Sequence, residues 1–311
     1  MRPRGEADRP AGAGRPVIFG EVLFDRFPDG SEVLGGAPFN VAWHLQGLGG
    51  SPLLVTRVGE DAAGRRVLEA MARWGMDTTG VQVDPERPTG RVEVSLEGGE
   101  PRFDILPGVA YDRIDEAAAQ RAAGAAGPCA LLYHGSLAVR ETPSREALAA
   151  LRRATGAPRF VDVNLRPPWW EREGVAGLLR GAAWIKLNAE ELERLHGPGD
   201  PATSAEALRR RAGARAVILT LGAEGALLAH EGGSLRRRAE PARVVDTVGA
   251  GDAFSAVAIL GLLAGWPWER LLERAVGFAA AVCGLRGAVT EERAFYEAHL
   301  RDWGETGGRG A

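Results

Sequence analysis

The stretch Asp246-Thr247-Val248-Gly249-Ala250-Gly251-Asp252-Ala253-Phe254 sets a carboxylate inside a turn of small residues, and an apolar run from Ala253 to Ala264 follows at once. Such a turn opens a helix whose first N–H groups have no partner in the helix. Small side chains let an anion approach those donors, and the helix dipole favours negative charge there. A carboxylate in the same turn would repel a resident anion. The two features agree when the anion is a phosphoryl group in transfer and the carboxylate takes the proton of the attacking hydroxyl.

A second glycine-rich constellation, Gly35-Gly36-Ala37-Pro38-Phe39-Asn40-Val41-Ala42, lies early in the chain. The glycine pair lets the backbone approach a ligand, and Pro38 suits a first helical turn. Asn40 offers a donor and an acceptor to paired hydroxyls, and Asp25, at the end of the first expected strand, accepts two hydroxyl hydrogen bonds. A plain strand–turn–helix with Asp25 and Asn40 as local caps accounts for the same residues equally well. Other phosphate sites are excluded. A P-loop needs a lysine after its glycine-rich turn, and the only lysine, Lys186, lies in Trp184-Ile185-Lys186-Leu187 with no such turn. The protein-kinase set lacks its His-Arg-Asp loop. Gly12 and Gly14 precede the first strand, so they form no dinucleotide fingerprint.

These residues need a scaffold. A chain of 311 residues with 45% hydrophobic content can bury a full core. Short β-rich runs at Val17–Phe24, Leu53–Val58, Ala130–His134, Phe160–Val163, Ala183–Leu187 and Ala216–Leu221 alternate with helical patterns at Phe39–Leu48, Ala62–Trp74, Ser144–Thr155, Ala189–His196 and Ser204–Ala212. The alternation predicts an α/β fold, a mostly parallel sheet with helices on both faces. Two largely apolar helices, Ala253–Ala264 and Trp268–Gly284, are expected in the interior. Arg26–Leu34 and Arg91–Ile105, with turns at Pro28-Asp29-Gly30 and Gly98-Gly99, break the rhythm and are expected to pair as a small β flap over one sheet edge. Residues 1–16 and 304–311 are expected to be disordered tails around one domain, 17–303.

The composition narrows the function classes. A net charge of −3 gives no basic footprint for nucleic acid, which disfavours an arginine-rich nucleic-acid binder. No apolar run is long and pure enough to span a bilayer, and the first residues lack the apolar middle of a signal peptide. Cys129 and Cys283 read as buried free thiols of a reducing compartment, so a cytoplasmic location is expected.

Together the two glycine-rich constellations resemble the signatures of the ribokinase-like (PfkB) carbohydrate kinases, and the resemblance runs from about Val17 to about Tyr296. Asp162-Val163-Asn164-Leu165-Arg166-Pro167 is similar to the family's Asp-x-Asn-x-Arg-Pro segment. Asn188-Ala189-Glu190-Glu191 is similar to its Asn-x-x-Glu element, and Leu219–Ala226 to its nucleotide-loop strand. The resemblance implies a three-layer α/β/α sandwich with a β lid that excludes water. It implies Asp252 as the base and Gly249, Ala250 and Gly251 as the donors that hold the transferred phosphate. A carboxylate at a helix N-terminus is expected to have a lowered pKa, tolerable because positioning and charge stabilisation dominate this chemistry.

By the same resemblance Arg166 meets the phosphates. Asp25, Gly35, Gly36, Asn40, Phe103 and Ser136 hold the sugar, and Asn188, Thr220, Gly222 and Gly225 bind ATP. Glu191 acts on Mg²⁺ through water, and Asp246 with the main chain of Val248 matches a monovalent-cation site, K⁺, of several members. Relatives are often dimers, and exposed flap edges offer a surface for one. The spellings Phe19-Gly20-Glu21, Gly35–Ala42 and Asn164–Trp170 are similar to bacterial fructokinases. Pro107–Asp112 departs from that pattern, and Ser136 stands where ribokinases carry an acidic contact. Fructose is the first expected acceptor. 2-Keto-3-deoxygluconate kinase, ribokinase, nucleoside kinase and a non-catalytic sugar- or nucleotide-binding relative are the alternatives.

Overall fold

The computed structural model describes residues 14–97, 100–240 and 243–304. Residues 1–13 of the expected N-terminal tail, the Gly98-Gly99 turn and 305–311 of the expected C-terminal tail lie outside the described residues.

Among the described residues thirteen strands run β1 (Arg15–Phe19), β2 (Leu23–Arg26), β3 (Glu32–Gly35), β4 (Leu53–Gly59), β5 (Val81–Asp84), β6 (Gly90–Glu97), β7 (Glu100–Ile105), β8 (Cys129–His134), β9 (Arg159–Asp162), β10 (Trp184–Asn188), β11 (Ala216–Thr220), β12 (Ala226–His230) and β13 (Gly233–Arg237). Nine form one sheet in the order β13-β12-β11-β10-β9-β8-β1-β4-β5, and four form a second, β3-β2-β6-β7. The large sheet is parallel from β5 to β11 and antiparallel only at β12 and β13. This is the mostly parallel α/β sheet that the sequence predicts.

Alternation along the strands builds the layers. Ile18 and Leu54 face a core shared with helices α1 (Ala37–Gly47), α2 (Ala62–Trp74), α8 (Ala250–Leu263), α9 (Trp268–Val282) and α10 (Arg293–Asp302). Val17, Phe19 and Val55 face the opposite layer, which includes α3 (Glu116–Ala125) and α4 (Thr142–Thr155). Farther along the sheet, α5 (Arg172–Leu179), α6 (Ala189–His196) and α7 (Pro201–Ala212) cover Val161, Ile185 and Val217 on that side. Central parallel strands are therefore apolar on both faces, and β4 is buried along nearly its whole length. Helix α8 is apolar around much of its circumference because α1 and α9 both pack on it. At α2, Asp61 accepts from the Gly64 N–H at 2.7 Å, and Gly75 closes the helix in a left-handed conformation.

The expected single strand Val17–Phe24 is two strands in two sheets. The break falls at Gly20, where a Cβ would stand 2.2 Å from the Pro38 side chain, so only glycine lets the chain turn beneath α1. Asp25 consequently belongs to the lid strand β2, not to the end of the first sheet strand. Arg15 and Pro16, placed in the tail by the sequence, lie in β1. The second sheet pairs the two segments expected as the flap, with β2 parallel to β6, but it begins at Leu23, not Arg26. Among the described residues, no helix is long and apolar enough to cross a membrane.

Candidate active site

A cleft opens at the carboxyl ends of β1 and β8 through β11, roofed by the inner face of the lid. Strand order reverses at β1, which lies between β4 and β8, and open α/β sheets bind ligands at such a switch point. The cleft holds about 840 Å³, near the upper end of single small-molecule sites, so two small ligands fit together.

The N-terminus of α8 forms its floor. Gly249 sits at φ +78°, and a Cβ there would lie 2.5 Å from the Ala288 Cβ. Gly249→Ala should therefore lower the unfolding free energy by roughly 1–3 kcal/mol and distort the turn. Urea denaturation with parallel turnover assays checks this, and a variant of unchanged stability and activity would contradict it. Gly251 and Asp252 lie in the first turn, where the helix supplies no carbonyl partner. Ala250 N–H is turned to the Thr247 carbonyl at 3.3 Å, so the expected set of three anion donors is reduced at that position.

Asn40 Nδ2 donates to Asp252 Oδ2 at 2.8 Å, joining the two glycine-rich constellations across 212 residues of sequence. The amide's Oδ1 is buried without a partner. Asp252 is half-buried on the cleft wall, and desolvation there raises its pKa to about 6. The Asn40 bond opposes the rise, Asp162 adds to it, and Lys186 and Arg166 oppose it. The expected lowering is overturned: the sequence shows the helix start but not the depth, and desolvation outweighs the dipole. The shift brings Asp252 closer to the pKa of an effective base at neutral pH.

Behind Asp252 lies a buried charged cluster. Lys186 Nζ donates to both Asp162 oxygens at 2.9 and 2.8 Å. Asp162 Oδ2 also accepts from Ser255 Oγ at 2.7 Å and from the Tyr133 hydroxyl at 3.3 Å. Burial works against the Lys186 charge, but the Asp162 carboxylate more than compensates and holds its pKa above the ordinary value. Lys186, Asp162, Asn164 and Glu21 all line the cleft, and the sequence reading gave none of them a role. Lys186 being the chain's only lysine was the available signal.

Most of the expected site residues converge here: Asp25, Gly36, Asn40, Phe103, Arg166, Asn188, Glu191, Thr220, Gly222, Gly225, Val248 and Gly249 through Asp252 all line the cleft. Gly35, Ser136 and Asp246 do not. Gly35 is the buried end of β3. Ser136 Oγ donates to the Asn164 carbonyl at 3.2 Å, supporting the neighbouring loop. The Asp246 carboxylate accepts from the N–H groups of Val248 and Gly287, both at 3.0 Å. Glu191 accepts from the N–H of Leu165 at 2.7 Å and of Asn188 at 2.8 Å, while Asn188 Oδ1 accepts from Glu191 N–H at 2.8 Å. This capping box ties the Arg166 loop to α6. Burial is the main reason the Glu191 carboxyl is raised above its ordinary pKa. Cys129 and Cys283 are free, as expected, but half-buried, and Cys283 lines the cleft.

A sequence model of the pfkB family carbohydrate kinases matches residues 18–294. The chain belongs to this family. It is 32% identical over 299 residues to a fructokinase of Klebsiella pneumoniae, covering 89% of this chain and 95% of that protein. It is also 32% identical over 284 residues to a 2-dehydro-3-deoxygluconokinase of Thermoproteus tenax, covering 86% and 82%. A crystal structure of Vibrio cholerae fructokinase with fructose, ADP and calcium bound matches with a TM-score of 0.77 at 26% identity, covering 91% of this chain and 98% of that one. This pfkB member is therefore a carbohydrate kinase, a phosphotransferase with an alcohol group as acceptor.

Proposed function

We propose that this kinase transfers the γ-phosphate of ATP to D-fructose, giving fructose 6-phosphate, with Asp252 as the base. The observation that carries the chemical assignment is Asp252 itself: a half-buried carboxylate with a raised pKa, held by Asn40 at the helix terminus that faces the cleft. Its proton acceptance generates the attacking alkoxide, and the first-turn N–H groups of α8 with Arg166 stabilise the charge on the phosphoryl oxygens. Asp25, Gly36, Asn40 and Phe103 hold the sugar under the lid. Thr220, Gly222, Gly225 and Asn188 border the nucleotide.

Among the described residues, no group of three His, Cys, Asp or Glu side chains could hold a metal ion. Both Glu191 oxygens already accept main-chain hydrogen bonds. These residues fit an Mg²⁺ that arrives with ATP and keeps its water shell, with Glu191 and Asn188 meeting it through water. The ion would supply charge neutralisation between phosphates. At Asp246 and Val248, a K⁺ ion would bind main-chain carbonyls, since the Asp246 carboxylate already accepts two N–H groups. The exposed lid residues Phe27 and Val33 support a homodimer formed through the lid.

Fructose rests on the Klebsiella relative and on the spelling of Gly35–Ala42. A 2-keto-3-deoxygluconate acceptor is the second reading, because the Thermoproteus relative is equally identical. An ADP-coupled panel of fructose, ribose, 2-keto-3-deoxygluconate, glucose and adenosine separates them. Fructose should show the highest kcat/KM. A better acceptor elsewhere in the panel would overturn fructose and leave the kinase standing.

A further inference from the structure

Glu21 follows β1 at the switch point of the sheet and lines the same cleft as Asp252 and Asn40. It is only 2% exposed, and its Oε2 has no hydrogen-bond partner in the protein. The backbone around it is fixed. A Cβ on Gly36 would come within 2.8 Å of the Glu21 carbonyl, so Gly36 closes directly onto this residue. A buried carboxyl oxygen without a partner costs about 1–3 kcal/mol. A fold that keeps one on the wall of its cleft offers it to a ligand.

We propose that Glu21 is a substrate-binding residue that works as a neutral carboxylic acid, its O–H donating a hydrogen bond to an oxygen of the acceptor that does not react. This rests on the reading of the cleft as a sugar-kinase site. It assigns a second carboxyl to the acceptor pocket with the opposite protonation state from the base. The charges around Glu21 are consistent with that division. Asp252 carries like charge into the same cleft, and two carboxylates so placed resist ionising together. Arg166 from the loop after β9 and Arg140 after β8 face it with positive charge. Tyr111 and Tyr133 are buried phenols within its electrostatic reach. Arg140 Nε and Nη2 bond Asp112 at 2.7 and 2.9 Å, while its Nη1 is buried without a partner. Burial dominates this balance and lifts Glu21 to about 7. The two raised carboxyls therefore titrate as a coupled pair.

The sign follows from a raised pKa. Glu21 keeps its proton, and its donor, below about pH 7 and loses both as the pH rises through that value. The test uses whichever acceptor the wild-type enzyme phosphorylates, so a wrong sugar does not decide it. KM for acceptor and for ATP, and kcat, are measured at about pH 6.5 and about pH 8.5 for wild type, Glu21→Gln and Glu21→Ala. In the wild type, KM for the acceptor should rise roughly tenfold across that range with KM for ATP unchanged. Glu21→Gln keeps the shape and a donor but cannot ionise, so its KM should stay within about threefold of the wild type at the lower pH and no longer rise. Glu21→Ala should raise KM for the acceptor about tenfold at the lower pH. An acceptor KM in Glu21→Gln that rises with pH as in the wild type would overturn the proposal. So would an unchanged KM in Glu21→Ala. Equal losses toward acceptor and ATP would mark a merely structural role and would also overturn it.

Discussion

Asp252→Asn should leave ATP binding intact and lower sugar-dependent ADP release by roughly 10²–10⁴-fold, the range that a positioned general base contributes. The substitution keeps the shape of the side chain and removes only its ability to take a proton. Binding of ATP, followed by calorimetry, should be preserved because the first-turn N–H groups of α8 are untouched. The wild-type pH profile carries the same information. A base raised to about 6 is ionised above that value, so kcat/KM should fall as the pH drops through about 6. That acid limb should vanish from the residual activity of Asp252→Asn. Near-normal turnover by the variant would remove Asp252 from the chemistry.

Lys186→Met should cost about 3–5 kcal/mol of stability at neutral pH, because it leaves the Asp162 carboxylate buried without its counter-charge. The two side chains are 7% and 4% exposed, so water cannot stand in for the ammonium. Ser255 and Tyr133 still donate to Asp162, but neutral donors do not balance the charge. The loss should shrink in Lys186→Met/Asp162→Asn, which removes the unpaired charge altogether. Denaturant titrations of the single and double variants check this. A loss below about 1 kcal/mol in the single variant would show that the pair contributes little.

What could be read in the sequence follows from how each feature is encoded. Helices α2 and α6 match their expected bounds, Ala62–Trp74 and Ala189–His196, because each repeats large apolar residues at helical spacing between clear caps. Helix α3 went unread because it packs through alanines, Ala119 and Ala123, which carry little periodic signal. The strands β12 and β13 are five residues each, and the outer one is largely exposed, so no alternating apolar pattern marks the hairpin. Most of the cleft was visible because glycine-rich turns and their polar neighbours are local sequence features. The pKa of Asp252, the buried Lys186–Asp162 pair and the unpartnered Glu21 carboxyl were not visible. Each is set by tertiary depth, which brings together residues far apart in the chain. Ser136 and Asp246 show the converse: their types suit ligand contact, but the fold assigns their side chains to neighbouring backbone.

The most direct test follows the phosphoryl group itself, by ³¹P NMR of the wild-type enzyme with ATP, Mg²⁺ and fructose. The expected result is one sugar phosphomonoester formed for each ADP released, with little inorganic phosphate, as a water-excluding lid would give. Inorganic phosphate released at the rate of ADP, with no phosphomonoester from fructose or any other acceptor in the panel, would contradict the transfer of phosphate to a sugar hydroxyl at Asp252.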